Sequence, residues 1–181
     1  MISLKSKITI KALNYFFLNP RASYYINELA RILEVDPKNL DRKLKEFEKA
    51  GILESEFRGK QRYFSLAKKT EAAKQYRKFF LSTAGIEGQL RRAVRDIKGL
   101  QAAYLYGSYA KDAMDAGSDI AILAIGTHSS LELQRRIGPI QRQSGREINT
   151  INMDTREFKE KQKHHNPFLE NIFSGKTIKL T

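Results

Sequence analysis

The chain has 181 residues, 41% hydrophobic and 29% charged, a globular mixture that excludes collagen-like and wholly disordered chains. It contains no cysteine, which removes disulfide scaffolds, Cys-ligated zinc, iron–sulfur clusters and thiol nucleophiles. The net charge is +13 and the excess sits early: residues 1–80 hold 18 Lys and Arg against 9 Asp and Glu, residues 101–181 hold 11 against 9. A basic half joined to a near-neutral half points to a nucleic-acid-binding module attached to a second unit, although a merely soluble basic protein has the same balance. No apolar run approaches the ~20 residues of a membrane span. Met1 to Lys11 alternates apolar residues with Lys, unlike the apolar region of a signal peptide. A cytoplasmic protein with no membrane partner is expected.

Lys5 to Leu18 reads as a helix with Ile8, Ala12, Leu13 and Phe16 on one side, stopped by Asn19-Pro20. Ser23 is placed to cap a second helix reaching about Leu33, with Ile26, Leu29, Ala30 and Leu33 as its stripe. Asp36 as N-cap, Pro37 at the first helical position and Gly51 past the end mark a third helix over 36–50. Leu40, Leu44 and Phe47 form its apolar stripe. Lys38, Arg42, Lys45 and Lys49 fall on the opposite side, with no acid at the centre of that face. After Gly51 the period changes to two. Ile52 to Phe57 and Gln61 to Leu66 read as a hairpin around the basic tip Arg58-Gly59-Lys60.

Three helices followed by a basic hairpin resemble the winged helix-turn-helix of small prokaryotic transcription regulators. The stretch YYINELARILEVDPKNLDRKLKEFEKAGILESEFRGKQRYFSL carries that resemblance. It implies that helix 36–50 enters a major groove of double-stranded DNA, while the tip near Arg58, Lys60 and Arg62 touches backbone or minor groove. The charges point the same way, because cations placed there displace counterions from phosphate. Asn39 and Arg42 are suited to base edges, Asn to adenine and Arg to guanine. A homodimer is expected because such readers usually bind paired half-sites. Protein contact or dimerisation is the competing use of the same module. The expected winged helix domain spans residues 1–68.

Thr70 to Leu81 reads as a helix with Ala73, Tyr76 and Phe80 on one side, broken by Ser82 to Gly85. Ile86 to Ile97 reads as another, with Leu90, Ala93, Val94 and Ile97 inward. Residues 69–84 are expected to form a helical connector and 85–181 a second domain.

Gln101 to Tyr106 is an apolar strand running into Gly107-Ser108 and a short helical stretch, Tyr109 to Ala113. Gly117-Ser118 breaks that stretch, and Asp119 to Ile125 is a second strand opening on a carboxylate. A glycine directly after a strand lets backbone approach a phosphate, and a helix starting there points amide N–H groups at it. A carboxylate on the neighbouring strand holds a divalent cation against those phosphates. The segment YGSYAKDAMDAGSDIAILAIG is similar to the signature of the minimal nucleotidyltransferases of the DNA polymerase beta superfamily: Gly-Ser, about ten residues, then Asp-x-Asp in an apolar strand. The segment GREINTINMDTREFKEK, with NPFLENIFSGKTIKL, resembles the C-terminal part of a subgroup carrying an N-terminal winged helix.

The resemblance implies that Gly107 and Ser108 anchor nucleotide phosphate and that Asp119 is the first metal carboxylate. It places the second carboxylate at Ala121, which has no ligand atom, and the third near Glu147 to Ile151, at Glu147 or Asn149. Asp112 also stands where the family usually has glycine after Ala-Arg or Ala-Lys. Two-metal phosphoryl transfer relies on these carboxylates to hold the charge-neutralising metals. Losing one of the three, at Ala121, implies a degenerate domain that holds nucleotide weakly or serves as a bare scaffold. Adjacent His164 and His165 splay about 100° apart on a helix and read as surface residues. His128, Asp112 and Asp115 read as loop residues, and Phe168, Leu169, Ile172 and Phe173 as core. Thr177 to Leu180 reads as a closing strand or tail.

The expected architecture is α+β: an N-terminal winged helix-turn-helix and a small nucleotidyltransferase-like α/β domain with a mixed sheet. The expected function is a DNA-binding transcriptional regulator with a catalytically impaired second domain. Two alternatives stand beside it. One is a working nucleotidyltransferase that uses Mg²⁺ and ATP with Asp119 and Glu147. The other, implied by the family resemblance, is an antitoxin-like partner of a small helical toxin.

Overall fold

The computed structural model describes residues 2–67, 70–115 and 117–181. They divide into two compact units, Met1–Ile86 and Glu87–Thr181. The boundary expected between residues 68 and 69 lies outside the described residues.

The first unit contains α1 (Lys7–Leu18), β1 (Ser23–Tyr25), α2 (Ile26–Leu33), α3 (Pro37–Lys49), β2 (Leu53–Arg58), β3 (Gln61–Leu66) and α4 (Glu71–Thr83). The ends of α3 follow from its sequence. The Asp36 carboxylate accepts from the Asn39 amide at 2.8 Å, Pro37 opens the helix, and Gly51 takes φ 71° just beyond it. Leu40, Leu44 and Phe47 are fully buried. Ser23 is not a helix cap. It begins β1, which pairs antiparallel with β3 from Ser23 opposite Ser65 to Tyr25 opposite Tyr63. Successive tyrosines suit a half-buried pleated surface, and the Tyr25 ring lies 5.7 Å from that of Tyr63. Helix α2 therefore starts only at Ile26, without a side-chain cap.

Strands β2 and β3 pair from Leu53 opposite Leu66 to Arg58 opposite Gln61, giving the sheet order β1-β3-β2. The loop is Gly59-Lys60, and Gly59 takes the positive φ of 60° that so short a turn requires. Helix α4 is built into this unit rather than standing free as a connector. Its Phe80 ring lies 5.5 Å from Phe17, and the Arg77 guanidinium donates to the Phe17 carbonyl at 3.3 Å.

The division falls one residue into α5 (Ile86–Val94). The second unit continues with β4 (Leu100–Tyr106), α6 (Gly107–Ala110), β5 (Ile120–Gly126), α7 (Ser130–Ser144), β6 (Ile148–Met153), α8 (Thr155–Lys163), α9 (Pro167–Ser174) and β7 (Ile178–Lys179). The short helix starts at Gly107 itself, two residues before the expected position. The sheet order is β6-β5-β4-β7, with β5 parallel to β6 and antiparallel to β4, so the sheet is mixed.

One sheet face carries Leu123, Ile125 and Met153, packed with Leu169 and Ile172 of α9 and against Phe158 of α8. On the other, the Gln134 amide of α7 donates to the Thr150 hydroxyl at 2.8 Å. Gln141 of α7 also accepts from the Ile148 amide at 3.0 Å, fixing the start of β6. Phe168 and Phe173 are not core residues as their spacing suggested. They are 36% and 40% exposed, leaning edge-on against Tyr106 and Tyr104. No helix among the described residues is long and apolar enough to cross a membrane.

Candidate functional site

In the first unit, Lys38, Asn39, Arg42, Lys45 and Lys49 are all exposed along one side of α3. Their charges are not equally free. Lys45 pairs with Asp41 at 2.8 Å, Arg58 pairs with Glu56, and Arg62 pairs with Glu48 at 2.7 Å. Among the described residues, Lys38, Arg42, Lys49 and Lys60 make no ion pair. The Arg62 contact has a structural use that the sequence reading missed. Glu48 of α3 also accepts from the Ser55 hydroxyl, which in turn accepts from Arg62 at 2.9 Å. This clasp ties the hairpin to α3.

In the second unit, Tyr106, Ala121 and Asn149 lie in one row across β4, β5 and β6. Gly107 follows that row at φ 73°, with no atom within 4 Å of where a Cβ would stand. No side-chain hydrogen bond caps α6, and Gly107 and Ser108 are half-buried at its start. Asp119 is exposed one residue before β5 and shares a strand face with Ala121. The Asn149 amide donates to the Asp119 carboxylate at 3.1 Å. An ionised carboxylate only accepts, so the amide nitrogen must face it. The residue beside Ala121 is thus Asn149 rather than Glu147, whose backbone carbonyl accepts from Ile120 at 2.9 Å just before β6.

The loop before Asp119 is held from both ends. The Asp115 carboxylate accepts from the Gly117 amide at 3.1 Å and the Ser118 hydroxyl at 2.7 Å. The Ser118 hydroxyl first and the backbone amide next hold that carboxyl below the usual range, with Arg146 adding its charge. Arg146 is 7% exposed and donates to the Ser118 carbonyl at 3.0 Å. Asp112 takes φ 58°, the conformation a glycine would give that turn. The histidines stand apart from this site: His165 meets Glu170 at 2.9 Å and His128 meets Asn152 at 2.8 Å.

A family model described as a nucleotidyltransferase domain matches residues 87–180. The chain belongs to the nucleotidyltransferase domain family. Two solved structures are similar to it at low identity. A mutant of the toxin-antitoxin MntA–HpeT is 16% identical with a TM-score of 0.39, covering 52% of this chain and 72% of that one. A toxin-antitoxin with AMP-PNP is 17% identical with a TM-score of 0.38, over the same shares. Comparison with curated proteins finds no match.

In this nucleotidyltransferase domain, the described residues contain no group of three His, Cys, Asp or Glu able to hold a metal. Asp119 alone, with a ligand's phosphates, suits one Mg²⁺, which characteristically keeps several waters and takes one or two carboxylates. In the strand row beside Asp119, Ala121 offers no ligand atom and Asn149 is neutral, so neither of them supplies a second carboxylate. Beside Gly107 lies a cavity of about 160 Å³ lined by Tyr106, Lys111, Phe168, Asn171 and Lys176. Ordinary small-molecule pockets run from roughly 300 Å³ upward, so this one suits part of a ligand, such as a phosphate between two lysines. Burial raises the Tyr106 hydroxyl above its ordinary value, keeping it neutral and able to donate.

Proposed function

We propose that the protein binds duplex DNA through its first unit, and that its nucleotidyltransferase domain holds a nucleotide without transferring it. The hydrogen bond from Asn149 to Asp119, beside Ala121, carries the second part. At the place where in-line transfer needs a cluster of negative charge to assemble two metals, this site has one carboxylate and an uncharged amide donating to it. Nucleotide retention is supported by the open space at Gly107 and by Lys111 and Lys176 around the adjoining cavity.

The first unit is proposed as a winged helix-turn-helix. Its element order, the sheet order β1-β3-β2 and the exposed cations of α3 support that reading. Helix α3 would lie in the major groove, with Lys38, Asn39, Arg42, Lys45 and Lys49 toward DNA and Lys60 at the hairpin tip. Arg58 and Arg62, which are paired with glutamates, would shape the hairpin and contribute less to phosphate binding.

Calorimetric titration of ATP with Mg²⁺ into wild type and Ala121→Asp tests the nucleotide half. Wild-type binding, strengthened by the added carboxylate, supports it, and absence of binding in both proteins refutes it. Metal-dependent transfer of labelled nucleotide, abolished by Asp119→Ala, would replace it with an active transferase.

A further inference from the structure

The hairpin of the first unit ends in a residue that neither its core nor its charge explains. Phe57 is 73% exposed, one residue before the tip strand ends at Arg58. It lies opposite Arg62 in the hairpin register, on the face that continues inward to the buried Leu53, Phe64 and Leu66. The ring is not loose. The Arg62 guanidinium sits 5.8 Å from its centroid and 5.2 Å from that of Phe64, and Arg62 is itself held by Glu48 of α3. Phe57 therefore has one side resting on a fixed cation and the other open.

The clasp also sets where the ring stands. Glu48 precedes Lys49 by one residue, about 100° around the helix. The hairpin thus runs along the flank of the exposed cationic face of α3, and Phe57 projects beside that face with the unpaired Lys60 at the tip. An apolar ring resting on one cation, with the unpaired Lys60 at the tip beside it, suits a polyanion that carries stacked aromatic bases. It does not suit a folded apolar protein surface, which would leave those cations desolvated.

We propose that Phe57 is an apolar wedge that enters the minor groove of duplex DNA and partly unstacks a base step, while Lys60 holds the adjacent phosphate. This deepens the DNA-binding reading above and rests on it. Wedge residues of this kind exchange the cost of unstacking for a bent duplex that meets more protein surface. A ring already held by Arg62 loses little freedom on entry.

The test uses the full chain and a fluorescein-labelled duplex of mixed sequence, with anisotropy read over a series of salt concentrations. Phe57→Ala is expected to weaken binding roughly tenfold, within the range of one aromatic–base stack. It leaves the slope of log affinity against log salt unchanged, because no ion contact is lost. Phe57→Trp retains affinity, and Lys60→Ala lowers the salt slope by about one. In a duplex carrying 2-aminopurine, wild type brightens the probe at one step and Phe57→Ala does not. Equal binding by wild type and Phe57→Ala overturns the wedge and leaves DNA binding standing. Absence of wild-type binding overturns DNA binding itself. A change of oligomeric state in Phe57→Ala, read by sedimentation, overturns the wedge in favour of a contact between copies of the chain.

Discussion

Asn149→Asp asks whether the amide beside Asp119 stands in for a metal. The change removes a donor and sets a second carboxylate where the amide lies, 3.1 Å from the Asp119 oxygen. Two unit charges at that separation repel by about 5 kcal/mol at an effective dielectric of 20. Both side chains are exposed, so solvent and rotation reduce the penalty to about 1 kcal/mol. Losing the hydrogen bond to a charged group adds about 1 kcal/mol more at an exposed position. For a unit of this size, these two losses together should lower the melting temperature by roughly 8 to 16 °C in the absence of divalent cations. Mg²⁺ should reverse the loss in the variant, by about 2.7 kcal/mol at a hundredfold excess over its dissociation constant. Wild type should gain much less. Scanning calorimetry of both proteins with and without Mg²⁺ reads all four values. The reasoning fails if the variant is as stable as wild type without Mg²⁺, or if wild type gains as much from the ion.

Arg146→Ala should destabilise the second unit by about 1–3 kcal/mol in urea unfolding, because it leaves the Ser118 carbonyl without its buried donor. Asp115 has its folded value depressed below 3.8, so its contribution to stability is present above that pH and is lost as pH falls through the depressed value. A carboxyl-carbon NMR titration should therefore give Asp115 a midpoint below 3.8, and Ser118→Ala should return it toward ordinary. Glu48→Ala should cost the fold less than about 1 kcal/mol, since the Arg62 pair is part-exposed. It should nonetheless speed amide hydrogen exchange in the hairpin by releasing it from α3.

The elements marked by strong local chemistry were legible in the sequence. Asp36-Pro37 and Gly51 bracket α3, and the change to a period of two announces β2 and β3. Other elements depend on partners far along the chain. Ser23 looks like a cap until Tyr25 finds Tyr63, and only the sheet makes β1 a strand. Gly138-Pro139 punctuates the sequence of α7, yet the helix runs through it because Leu133, Ile137 and Ile140 are buried on both sides of that pair. Helix α8 has no buried residue, so no strong apolar stripe marks it.

The candidate site divides in the same way. Gly107, Ser108 and Asp119 are set by local order along the chain. The partner of Asp119 depends on how β6 registers against β5. Residues 147 and 149 share a parity, so alternation alone cannot choose between them. Likewise, the pairing of Arg62 with Glu48 follows from β3 meeting α3, which a count of charges does not reveal.

Among the described residues, strand β6 is at the margin of its sheet, with a neighbour on one side only. Such strands offer a row of free amides and carbonyls to any extended chain that comes near, and that is a route to aggregation. At the end of β6 nearest Asn149, the Gln141 side chain already occupies the outward Ile148 amide. A stray strand approaching there meets an occupied donor and cannot start a ladder. One glutamine on a helix thereby shields the sheet from misassembly at the end where Asp119 and Asn149 meet.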